Sequence, residues 1–184
     1  NISIKNKIKL VEEIYLSHKD YYNCFSKSKK KIFKIIEIFL KSRKSDISNY
    51  YLIFFQKKLA GFISFFNCDQ YNKRLFNNLI LIQKILNKND FNLALRKLRK
   101  FHKNFNQVPN HKKKYYLSRI LIFKNFRKKK IGTQTIKKVF KNKNFLLHVK
   151  KNNVIAIIFY KKNLFKIIKS DKKYLLLGKE LTNK

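Results

Sequence analysis

The sequence predicts a layered fold mixing helices and strands, α/β or α+β, on three observations. Two helical stripes open the chain, two β-rich runs follow as a close pair, and the second half alternates strand, helix, strand, helix, strand. One proline and three glycines leave little punctuation, so the element ends come from hydrophobic periodicity. From about Ile8 to Leu16, and again from Lys30 to Leu40, apolar residues recur every three or four positions. Ile32, Ile35, Ile36, Phe39 and Leu40 form one such stripe. Tyr50–Phe55 and Ala60–Phe66 are rich in aromatic and β-branched residues and read as a hairpin joined over Gln56-Lys57-Lys58-Leu59. Helical spacing returns from Leu75 to about Lys103, through Leu79, Ile82, Ile85 and Leu86, then Leu93, Leu95, Leu98 and Phe101. A loop through Pro109 leads to a strand at Tyr115–Phe123, a basic turn and a helix from Gly132 to about Lys141. A strand at Phe145–Val149, a helix at Asn153–Lys162 and strands at Phe165–Ile168 and Tyr174–Leu177 complete the order. A right-handed crossover from Tyr115–Phe123 would set Phe145–Val149 beside it and parallel to it. A ligand is then expected at the carboxyl ends of that pair.

A length of 184 residues corresponds to one domain, and 45% hydrophobic residues suffice for a core despite a formal charge of +37. Cys24 and Cys68 make no disulfide framework, and His18, His102, His111 and His148 lack zinc-ligand spacing, so no metal site is expected. No apolar run reaches the ~20 residues of a membrane span, and a soluble cytoplasmic protein is the expectation. The charge suggests nucleic acid, but its origin argues otherwise. Lys, Asn, Ile, Phe and Tyr together make up 112 of the 184 residues, and all five can be written with codons of A and T alone. Selection for phosphate contacts would enrich cations without enriching Phe. It would also favour the bidentate Arg fork over a composition of 40 Lys to six Arg. The charge is therefore read as the drift of an AT-rich genome.

The junction after Tyr115–Phe123 carries the chemistry. Asn125-Phe126-Arg127-Lys128-Lys129-Lys130-Ile131-Gly132-Thr133 presents successive backbone N–H groups at a helix start, where unpaired donors and the positive end of the helix dipole favour an anion. Gly132 admits close backbone approach, Thr133 can cap or donate its hydroxyl, and the Arg/Lys run adds positive potential, so a pyrophosphate fits there. A solvated basic turn in a Lys-rich protein is the plainer reading of this segment alone. The glycine content is too low for a P-loop or a dinucleotide fingerprint.

The order of four segments resembles the Gcn5-related N-acetyltransferase (GNAT) superfamily. Tyr116-Leu117-Ser118-Arg119-Ile120-Leu121-Ile122 with Phe126–Thr133 is similar to that family's fourth strand and its Arg/Gln-x-x-Gly-x-Gly/Ala acyl-CoA loop. Leu147-His148-Val149 and the stretch Asn153–Phe165 resemble its fifth strand and its Asn-x-x-Ala-Ile-x-x-Tyr-x-x-x-Gly-Phe helix and turn. Lys57–Ile63 is similar to its second-to-third strand hairpin, and Tyr174–Leu181 to its closing strand. The family's loop glycines are replaced by Lys128 and Lys130, and the glycine after the helix by Leu164. Lys130 brings a Cβ where backbone should approach the pyrophosphate, and Leu164 stands at a position that asks for φ > 0. The resemblance implies a mixed, mostly antiparallel twisted sheet with a central parallel pair splayed at the acyl-CoA site. It also implies a single domain over residues 1–184 with a helical insert at about 67–114.

It further implies acetyl-CoA as co-substrate and an amine acceptor, small or peptidic, attacking directly. Arg127, Lys128, Lys129, Lys130, Ile131, Gly132 and Thr133 would hold the pyrophosphate. A strand-end N–H near Leu121 or Ile122 would polarise the thioester carbonyl. Tyr160 is the expected general acid for the leaving thiolate. Asn153, seven positions earlier and so on the same helical face, caps the helix or reaches the cofactor. No general base stands out. The fourth-strand segment carries Ser118 and Arg119, leaving Asp69, His111 or a water chain. The competing expectations are a basic RNA- or ribosome-binding protein, and a GNAT fold that holds CoA without catalysis. The protein is expected to be a monomer or a homodimer.

Overall fold

The computed structural model describes residues 3–103, 108 and 112–180. Pro109, His111 and Leu181 lie outside the described residues. Three helices open the chain: α1 (Ile4–Ser17), the single turn α2 (Lys19–Tyr22) and α3 (Lys29–Lys41). Ser3 and Ser28 cap α1 and α3, accepting from Asn6 N–H and Lys31 N–H. The stripe Ile32, Ile35, Ile36 and Phe39 is fully buried, as its spacing requires. The chain then forms β1 (Tyr50–Phe55) and β2 (Lys58–Asn67), a 3-10 turn at Cys68–Gln70, α4 (Tyr71–Gln83), α5 (Lys88–His102) and β3 (Lys114–Ile122). After a second 3-10 turn at Lys124–Phe126 come α6 (Ile131–Val139), β4 (Asn144–Lys150), α7 (Val154–Lys162), β5 (Lys166–Ser170) and β6 (Tyr174–Lys179).

The six strands form one sheet in the order β1-β2-β3-β4-β6-β5, antiparallel throughout except for the central β3–β4 pair. The mixed class and the parallel pair are those the sequence predicts. The hairpin is tighter than the four residues expected. Phe55 pairs with Lys58, and Gln56 and Lys57 both take positive φ (48° and 60°), the pattern of a two-residue turn matched to strand twist.

The two larger of three hydrophobic clusters among the described residues sit on opposite faces of the sheet. One packs α1–α5 against Phe62, Leu121 and Phe123; the other packs α6 and α7 against Ile63, Phe65, Leu117, Phe145 and Leu147. Face assignment along β3 changes at a bulge. Ser64 pairs with Arg119 and Phe65 with Leu117, so Ser118 is an extra residue. Leu117 and Ile120 therefore share the α6–α7 core although they are three apart, and Arg119 turns to the α1–α5 face.

Candidate active site

β3 and β4 pair only at Lys114–Tyr116 with Asn144–Leu146. Beyond that point each strand keeps its outer neighbour, β3 with β2 as far as Ile122 and β4 with β6 as far as Lys150. The sheet therefore opens into a V whose limbs end at the carboxyl ends of both strands. Phe123 N–H donates to Ala60 O at 2.8 Å. Alternation along an antiparallel ladder then directs Leu121 N–H toward β2, and the N–H groups of Ile120 and Ile122 into the gap. Of the two strand-end candidates, Ile122 is the one whose amide faces the opening. Its carbonyl accepts from Arg127 Nε at 3.0 Å, which ties the following loop to the rim of the V.

That loop delivers the chain to α6. Lys130 is the N-cap residue in the left-handed region and offers no side-chain cap bond. The first intrahelical bond runs from Gln134 N–H to Lys130 O, so the N–H groups of Lys130, Ile131, Gly132 and Thr133 have no acceptor within the helix. Lys128 (φ 62°) and Lys130 (φ 58°) adopt the backbone conformation that glycine favours. A concave run of donors is thus built without glycine, beside exposed Arg127, Lys128, Lys129 and Lys130. Lys129 lies over the rings of Phe55 and Phe126, at 5.6 and 5.9 Å from their centroids. The missing side chain of Gly132 makes room for a protein group: a Cβ there would stand 3.1 Å from the Phe159 ring. The α6–α7 packing therefore constrains this glycine.

On the α6–α7 face, Tyr160 packs against the core that includes Leu117, Leu147 and Val149, residues of the two limbs, with the Phe159 and Phe165 rings each 5.4 Å away. Burial pushes its phenol above the usual tyrosine range, opposed by the charge of Arg119. Tyr160 is therefore firmly protonated at neutral pH. Asn153 caps α7, its side-chain oxygen accepting from Ala156 N–H at 3.2 Å. The helix and turn close as the sequence motif requires, with Leu164 at φ 69°.

The opposite face of the V carries a polar cluster that sequence reasoning missed. Tyr116 Oη lies 3.1 Å from His148 Nδ1, bridging the limbs where their backbones part. Arg119 is nearly buried, its guanidinium 3.5 Å from the Asp46 carboxylate and over the Tyr21 ring. Asp46 also accepts from Asn78 of α4 at 2.8 Å, and Arg74, one turn earlier, donates to Ser45 O and Ser48 Oγ. Near this cluster, burial and the charges of Arg119 and Lys150 hold His18 well below the ordinary histidine range, so it is neutral. The available signal was the alternation Leu147-His148-Val149, which puts His148 opposite its apolar neighbours. The turn of Arg119 depends on the bulge, which leaves no such mark. Asp69 sits in the exposed turn after β2, near the amino end of β3 and at the other end of that strand from the α6 start. His111 lies outside the described residues.

A cleft of about 1010 Å³ opens at the carboxyl end of β4, walled by the α2 region, α5, the β4–α7 turn and the β5–β6 turn. Among the described residues no helix is long and apolar enough to cross a membrane.

No curated protein matches the chain in sequence. In structure it is similar to an N-acetyltransferase from Staphylococcus aureus Mu50, with a TM-score of 0.62 at 15% identity over 95% of this chain and 96% of that one. It is also similar to the PaiA N-acetyltransferase from Thermoplasma acidophilum, solved in complex with coenzyme A, with a TM-score of 0.51 at 20% identity over 98% of this chain and 96% of that one. These likenesses show the fold. The model of the acetyltransferase (GNAT) family matches residues 11–164, a span that includes the splayed pair, the α6 loop and the whole of α7. The chain belongs to that family, and so to the acetyltransferases that draw their acetyl group from acetyl-CoA.

Proposed function

We propose that this protein is a cytoplasmic acetyl-CoA-dependent N-acetyltransferase in which an acceptor amine attacks the thioester directly. The reading rests on one observation: the β3–β4 pair opens beside a helix start whose first N–H groups lack helical partners. Those donors and the Arg127–Lys130 cations fit a pyrophosphate by the anion chemistry of helix N-termini. Acetyl-CoA, when bound, supplies an activated acetyl group.

The residues of the chain divide the remaining work. The Ile122 amide, directed into the gap, donates to the carbonyl oxygen as negative charge develops there. The acceptor nitrogen bonds to the carbonyl carbon, the C–S bond breaks and the thiolate takes its proton from Tyr160 Oη, while the nitrogen gives up one proton. The products are the N-acetylated amine and the free thiol. Asn153 holds the start of α7 and with it the direction of Tyr160. His148, bridged to Tyr116 across the V, is the side chain the geometry offers for the departing amine proton.

Coenzyme A at 100 times its Kd should stabilise the protein by ~2.7 kcal/mol, read as a rise in Tm. No shift with coenzyme A or any acyl-CoA rejects the reading. Tyr160→Phe should lower kcat by about 10²-fold or more while leaving coenzyme A affinity within a factor of about two. Unchanged turnover in that variant removes the acid role. A protein that binds coenzyme A yet acetylates no amine would instead be a binding module.

A further inference from the structure

The cleft at the carboxyl end of β4 has a charge that composition does not explain. Seven of its thirteen lining residues are lysine, against 40 of 184 in the chain. Three walls contribute them: Lys97 and Lys100 from α5 with Lys103 just after it, Lys150 and Lys151 from the end of β4, and Lys172 and Lys173 from the β5–β6 turn. One carboxylate, Asp20, answers them, and Lys150 pairs with it. Drift toward lysine raises the count everywhere on a surface. It does not by itself direct lysines from three separate elements into one concavity, where low-dielectric walls focus their potential.

The cleft also adjoins the gap. His148 and Lys150 are two apart on β4 and so share a face; Lys150 lines the cleft, and His148 bridges the V to Tyr116. Asn152, another lining residue, precedes the cap residue of α7. A molecule held among the lysines would reach the splay along that face of β4, from Lys150 to His148.

We propose that this cleft receives the acceptor, and that the acceptor is a primary amine carried on a small, multiply anionic molecule whose phosphate or carboxylate groups the lysines hold. The inference rests on the acetyl-transfer reading above. Polyamines are disfavoured by the same field. That field also opposes the ammonium form of a bound amine, leaving the free base that must attack.

The test is acetyl transfer over matched amines. Glucosamine 6-phosphate is paired with glucosamine, and the dipeptide of aspartate and glutamate with its side-chain diamide; spermidine completes the panel. In at least one pair the anionic member should exceed its neutral twin by about tenfold or more in kcat/KM, a difference of ~1.4 kcal/mol, with spermidine the poorest substrate. The two pairs separate phosphate from carboxylate recognition. Lys172→Gln with Lys173→Gln should raise KM for the anionic acceptor by about tenfold at unchanged KM for acetyl-CoA, and the control Lys5→Gln with Lys34→Gln, on the outer faces of α1 and α3, should change neither. Preference for a neutral twin or for spermidine overturns the proposal. So does an unmoved KM in the double variant, or tight RNA binding with a steep salt slope and no acetylation of any anionic amine. Calorimetry with coenzyme A alone distinguishes the failures: binding with the wrong amine preference sinks only this inference, whereas no binding sinks the acetyl-transfer reading and this inference with it.

Discussion

Of the six non-glycine side chains at positive φ among the described residues, three stand where the family's motifs have glycine. Lys128, Lys130 and Leu164 have φ of 62°, 58° and 69°. Each incurs a steric penalty of about 1 kcal/mol between Cβ and the following carbonyl. The sequence marked these sites only through what was missing, since a lysine in a basic run carries no signal of its own φ. The structure keeps the loop's course despite them, because Arg127 is bound to Ile122 O on one side and α6 is fixed by Ile131 and Ile136 on the other. Lys130→Gly and Leu164→Gly should therefore each raise stability by about 0.5–1 kcal/mol, the relief of strain exceeding the added freedom of the unfolded chain. Urea midpoints at constant m-value measure this, and a lower midpoint in both variants would mean that the positions are not strained.

Between elements, the α3–β1 loop is held by α4, whose Arg74 and Asn78 are one turn apart and reach Ser45, Ser48 and Asp46. Asp46 then meets Arg119 of β3, so one buried ion pair joins the helical layer to the limb of the V. Asp46→Ala leaves Arg119 charged, buried and without its carboxylate. The expected loss is ~3–5 kcal/mol in denaturant unfolding, partly restored by Arg119→Met in the same chain. A loss below about 1 kcal/mol would place that guanidinium in water instead. Helical periodicity runs from Leu75 to about Lys103, whereas the chain turns between α4 and α5, with Asn87 capping the second helix by accepting from Asp90 N–H. The break is invisible to periodicity because Ile82 of α4, Leu86 of the turn and Ala94 and Leu98 of α5 enter the same core. The cap, an Asn three residues before an Asp, was the readable sign. The two helices thus serve differently: α4 clamps a loop, and α5 gives lysines to the cleft.

For the whole molecule, a formal charge of +37 on 184 residues means self-repulsion in the compact state. Raising salt from about 0.01 to 0.15 M shortens the Debye length from ~30 to ~8 Å and should raise Tm by several degrees. A flat response would show that the lysines are already dispersed beyond one another's field. The sequence by itself determined the two helical stripes, the hairpin, the parallel strand pair, the helix start after the basic turn and the family, because each is written in residues close along the chain. The width of the V, the direction of the Ile122 amide, the inward turn of Arg119 at the Ser118 bulge and the gathering of lysines from three elements were decided only in the folded protein. These follow from where strands stop pairing and which turns come to lie side by side, and contacts made across long chain separations leave no local periodicity to read.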